Sequence, residues 1–142
     1  MTDQEFWALI ARIDRSSIGD EPEAAVEPLV EALTELSAGQ IRAFAEQLAQ
    51  KLYSLDGRRF ADACGSSGAS ADGFLYARCY VVGQGRKQYE RVREDPRGMP
   101  SSVEEWFEPL LYVADEALAA IGETAPVTTS VSYETGSNRS EW

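Results

Sequence analysis

The sequence predicts an all-α fold: a single compact domain of six or seven helices, followed by a disordered C-terminal tail. Three observations predict it. Apolar residues recur at three- and four-residue spacing through most of the first 122 positions. Helix-capping motifs stand at the start of several of those runs. The chain has 142 residues and is 44% hydrophobic, enough for one domain to bury a real core.

Thr2-Asp3-Gln4-Glu5 has the form of a capping box, and Phe6, Ile10 and Ile13 follow at helical spacing, with Trp7 and Leu9 widening the face. Helix one is expected from about Asp3 to Arg15, and Ser16 to Pro22 is a loop. Val26, Leu29, Val30 and Leu33 mark helix two. Pro28 cannot sit deep inside it, so its regular part starts within a turn of Pro28 and ends near Leu36. Ser37-Ala38-Gly39-Gln40 is a second capping box, opening a helix whose buried stripe is Ile41, Phe44, Ala45, Leu48 and Leu52. Gly57 breaks that pattern, and a weaker helix runs to Cys64.

After the loop "GSSGAS", Ser70 caps a helix through Val82, with Asp72 in its first turn, where the helix dipole favours an acid. Gly83 and Gly85 end it, Arg86 to Glu94 form another helix, and Asp95-Pro96 stops that one. The last segment carries Trp106, Leu110, Val113, Ala117 and Ile121 on its buried side, and Pro109 must kink or split it. Residues 1–122 therefore read as the helical domain. Residues 123–142 ("ETAPVTTSVSYETGSNRSEW") are polar and β-leaning, with nothing to pack on, and read as a disordered tail.

The charge narrows the function. With 24 acids against 13 bases the net charge is −11, which repels nucleic acid and anionic membrane surfaces. The acidic start and the lack of a long apolar run point to a cytoplasmic protein without membrane spans. There is no histidine, which removes Ser-His-Asp and Cys-His mechanisms and HExxH zinc chemistry. Cys64 and Cys79 are too few for a zinc site and read as reduced thiols. No metal and no cofactor is expected.

Gly83-Gln84-Gly85 has no third glycine where Gln88 stands and no lysine of a P-loop, so it reads as a helix end rather than a phosphate loop. "GSSGASADG" reads as a flexible loop and cap. Two candidate sites remain. The first is a small-anion ligand-binding or enzymatic site around Asp72, Tyr76 and Arg78, with Gln84 nearby. Arg78 lies in an otherwise apolar helix and needs a partner if buried: either a carboxylate from another helix, or a carboxylate or phosphate ligand. The second is an acidic stripe. From Ser16 to Ile41 there is no Lys or Arg, while Glu23, Glu27, Glu31 and Glu35 fall four apart. Like charges at that spacing oppose a helix by about 0.2–0.5 kcal/mol a pair. Tolerating that repulsion suggests a basic protein partner, although a solvated face gives the same pattern. By contrast, Arg86, Lys87, Arg91, Arg93 and Arg97 gather on one short segment, so the molecule is dipolar.

Phe6-Trp7-x-Leu9-Ile10, then Ser70-x-Asp72-Gly73-Phe74 leading through Tyr76 and Arg78 to Gln84-Gly85-Arg86, then Leu111 to Ala117 with Asp115 in its middle, come in an informative order. Together they resemble the bacterial domain-of-unknown-function 4240 family, over roughly Thr2 to Gly122. The chain departs from that pattern at "DGRRFADAC", at Ala71 where the family tends to have a second Asp, and at Tyr80 where it tends to have a tryptophan. The resemblance implies a helical domain and no established activity. The expected function is a non-catalytic, cytoplasmic protein-interaction domain using the acidic face, with homodimerisation through exposed Tyr and Trp as a further possibility.

Overall fold

In the computed structural model all 142 residues are described, and every regular element is helical. The α segments are α1 (Asp3–Ile10), α2 (Pro22–Ala25), α3 (Glu27–Thr34), α4 (Ala38–Ser54), α5 (Arg58–Ala63), α6 (Ala71–Gly83), α7 (Arg86–Glu94) and α8 (Val113–Ala120). Because α2 is a single turn, seven helices of six residues or more remain. Short 3-10 turns join them. No helix is long and apolar enough to cross a membrane.

Local chemistry sets most of the boundaries. Thr2 and Glu5 close the first capping box, and Ser37 and Gln40 the second. α1 stops at Ile10 rather than near Arg15, because the Asp14 carboxylate accepts the Ser16 N–H at 3.2 Å and opens a 3-10 turn, Arg15–Ser17. A short acidic side chain competes with the helix for its own backbone donors. Pro28 falls in the first turn of α3, where its missing N–H leaves no hydrogen bond unmade. Pro109 does split the last segment. Val103–Glu105 and Glu108–Tyr112 are 3-10 turns with extended backbone at Trp106 between them, and the α-helix starts only at Val113. Ile121, expected on the buried side, is 39% exposed because the helix has ended one residue before it.

The middle of the fold is α6, packed against α4, α7 and the Glu108–Tyr112 turn, while α8 packs on α3 and α4. Nine of the thirteen residues of α6 are buried, so it is a central helix rather than an amphipathic surface one. Its glycines let neighbours approach. The Phe107 N–H donates to the Tyr76 carbonyl at 3.1 Å, and the Phe107 ring lies where a Cβ on Gly83 would stand 2.7 Å from it. Gly83 therefore stays helical, Gln84 caps the helix, and Gly85 alone takes the left-handed turn, at φ 99°.

The expectation of a disordered tail is corrected by the contacts of residues 123–142. Arg42 donates to the carbonyls of Pro126 and Ala125, at 2.8 and 2.9 Å. Glu46 accepts the backbone N–H of Ser130 at 2.8 Å, and Gln50 donates to the Ser130 hydroxyl at 2.9 Å. Val127 and Tyr133 pack against the core. The tail thus runs along α4 in the same direction as the helix, meeting one polar side chain per turn. Composition alone suggested nothing for it to pack on; the partner is the polar edge of α4.

Candidate functional site

Arg78 is fully buried, and its partner is neither a helical carboxylate nor an open pocket. Its guanidinium donates through Nη1 to the Leu52 carbonyl at 2.9 Å and through Nη2 to Thr135 Oγ1 at 3.1 Å. Thr135 in turn donates to the carbonyl of Ala71 at 2.7 Å, so it accepts and donates at once. The Phe74 ring, one helical turn earlier, covers the guanidinium at 4.7 Å. Nε has no partner, and none of the ion pairs in the molecule includes Arg78. Burial pulls its pKa below the ordinary arginine value, and the charge of Asp56 works against that pull.

Asp56 is the second buried charge, and its partners also come from the tail. Its Oδ1 accepts the N–H of Gly136 at 3.0 Å and the Trp142 indole N–H at 3.0 Å; its Oδ2 accepts the N–H of Asn138 at 2.9 Å. Gly136 sits at φ 92°, a turn that an L side chain resists. Asn138 also donates from its amide to the Tyr53 carbonyl at 3.1 Å, and the Trp142 ring meets Phe74 edge-on at 5.9 Å. Two buried charges of opposite sign thus fasten the C-terminal segment to the body, without pairing directly.

Both cysteines are free and buried beside this centre. Burial pushes the Cys64 thiol up to about 11 and the Cys79 thiol up to about 12, although the Arg78 charge pulls each down. Thiols held so far above neutrality are poor nucleophiles. The native protein is expected to resist a thiol reagent at about pH 7.5 and to take up label at both positions only in denaturant; stoichiometric labelling of the folded chain would contradict this.

The four residues of the first sequence-derived site do not converge. Arg78 is internal, Asp72 is exposed in the first turn of α6, and Tyr76 donates to Glu108 at 3.2 Å. Tyr112 donates to the same Glu108 oxygen at 2.7 Å, a bond that pushes its phenol up to about 12. Gln84 lines a separate cleft with Arg15, Tyr80, Lys87, Gln88, Arg91 and Glu105.

The acidic residues are arranged differently. Glu23, Glu27, Glu31 and Glu35 are all exposed, and none enters an ion pair. Glu23 borders a small groove of about 200 Å³ that also holds Glu108, Glu116, Val26, Pro109 and Tyr112. Tyr112 is 46% exposed there, which gives the groove an aromatic wall beside three carboxylates. No group of three or more acids and cysteines converges as a metal-binding set would. A cavity of about 350 Å³ lies between α4, α8 and the tail, its lining mixed: Leu48, Val127 and Val131 beside Asp115, Thr129 and Glu134.

Sequence reasoning missed Asp56 and Thr135. A signal for the tail's seat existed: Arg42, Glu46 and Gln50 recur every four residues on the polar side of α4. For Asp56 there was none, since an acid after a helix end is ordinary in a loop.

A family model described as "Protein of unknown function (DUF4240)" matches residues 1–120, which includes Asp56 and Arg78 but not the segment they hold. No curated protein and no solved structure matches the chain.

Proposed function

The chain belongs to the DUF4240 family, whose description assigns no function, and we propose that it is a non-catalytic, cytoplasmic interaction domain that engages a basic segment of another protein. The observation that carries this reading is the row Glu23, Glu27, Glu31 and Glu35, exposed and without an ion-pair partner. Uncompensated like charge on successive turns weakens the fold slightly, and a cationic partner removes that cost on binding. The groove beside Glu23 supports the same reading, because a lysine or arginine has three carboxylates and the Tyr112 ring to meet there.

Titration of a fluorescent Lys/Arg-rich peptide tests this. Wild type is expected to bind at low salt and to weaken steeply as salt rises. The triple variant E27Q/E31Q/E35Q is expected to lose roughly tenfold in affinity while keeping its stability, since all three side chains are exposed. No binding by wild type at low salt, or equal binding by the variant, would refute the reading.

A further inference from the structure

The cleft that holds Gln84 belongs to neither the acidic face nor the tail. Its seven lining residues are Arg15, Tyr80, Gln84, Lys87, Gln88, Arg91 and Glu105, and its volume is about 390 Å³. Three cations against one carboxylate leave it net positive in a chain of charge −11. Arg15, Lys87 and Arg91 enter none of the ion pairs, which use Lys51, Arg86 and Arg97 instead. Three cations thus line one cleft, and none of them lies within ion-pair distance of a carboxylate.

Their placement adds a second argument. Gln84 caps α6, and Lys87, Gln88 and Arg91 stand on the first two turns of α7, so one helix entrance supplies most of the lining. That entrance has no side-chain cap and no acid in its first turn. The Arg15 guanidinium lies against Gly85, which holds a φ of 99° that favours glycine. Cations crowded at the positive end of a helix dipole are unfavourable by themselves. An anion among them reverses that sign. The guanidinium and carboxamide groups also supply fixed N–H donors beyond plain charge.

We propose that this cleft binds a small, freely diffusing phosphate ester or pyrophosphate. Arg15 and Arg91 supply paired N–H donors to its oxygens, Lys87 a point charge, and Gln84 and Gln88 neutral donors. Tyr80 is the one apolar wall, too little for a hydrophobic ligand. Glu105, also in the lining, accepts a hydrogen bond from a hydroxyl or amino group of the ligand's organic part. A nucleic-acid strand is disfavoured, since it would bring its charge along the rest of an acidic surface.

Inorganic pyrophosphate is the probe, titrated calorimetrically into the full chain and followed in parallel by ³¹P NMR, with sodium sulfate at equal ionic strength as the control. Saturable one-to-one binding of pyrophosphate that sulfate does not mimic is expected. The double variant K87A/R91A is expected to weaken it by roughly a hundredfold, about tenfold for each lost charge-assisted contact, and E105Q to strengthen it. Thermal melts without ligand check that the variants fold, which the exposed positions of Lys87 and Arg91 favour. Absence of saturable binding would overturn the proposal. So would undiminished binding by a folded K87A/R91A chain, or co-sedimentation with phosphatidylglycerol vesicles without pyrophosphate binding. Because the acidic residues are not touched, failure here leaves the basic-peptide reading standing, and the reverse holds equally.

Discussion

Arg78→Ala is expected to lower the stability of the folded chain by about 3–5 kcal/mol, read as the shift in urea unfolding. The residue is among the largest fully buried side chains of the molecule, so truncation opens a cavity in the middle of α6. It also strips the Leu52 carbonyl and the Thr135 hydroxyl of a charged donor. Lysine is not expected to rescue the site, because one ammonium cannot reproduce a fork that reaches a backbone carbonyl and a hydroxyl together. Arg78→Met separates the two causes. It refills most of the volume and removes the unpartnered Nε, so recovery of more than half the loss would assign the effect to packing. A cost below about 1 kcal/mol for Arg78→Ala would mean that the guanidinium is not held as described.

Asp56→Ala is expected to free the last residues of the chain and to cost about 2–4 kcal/mol. Three N–H groups lose their acceptor at once: those of Gly136 and Asn138 and the Trp142 indole. The cost has a ceiling. If the segment detaches, those donors find water, and the loss cannot exceed the free energy that docks the segment. Arg78 also loses the negative charge that offsets the cost of its burial. Three measurements report the release: faster amide exchange over residues 135–142, red-shifted emission from Trp142, and new sensitivity of the C-terminus to a nonspecific protease. If the amides of Gly136 and Asn138 exchange as slowly in Asp56→Ala as in wild type, the carboxylate is not the group that holds them.

Taken together the two variants bear on how the family's domain relates to the C-terminal segment. The matched region ends at residue 120, yet all three donors to Asp56 and one of the two acceptors of Arg78 come from residues 135–142. The tail completes the domain's polar interior, as a cap completes a helix, rather than hanging from it. The cavity lined by Val127 and Val131 lies along the same strip, so release of the segment is expected to open it as well.

The helices were legible because their signals are local. Both capping boxes, the Ser70 cap, the place of Pro28 and the split at Pro109 each depend on residues within about a turn of one another. The exposed glutamate row was legible for the same reason, four-residue spacing on successive turns. α1 is shorter than its apolar spacing suggests because Asp14 caps a turn of its own.

Local pattern was enough to read the all-helical fold, the free cysteines, the excess of acid and the oddity of an arginine in an apolar helix. Which groups that arginine holds depends on contacts between distant parts of the chain. Its hydroxyl partner lies 57 residues away, and the indole that Asp56 binds lies 86 away. Such pairs carry no period. A polar tail cannot bury apolar area enough to announce itself, and its threonines and glycines look alike whether solvated or docked. They are fixed by the packing of α6 against α4, which leaves two charges that water no longer reaches, and a buried charge must find its partners wherever the chain can bring them.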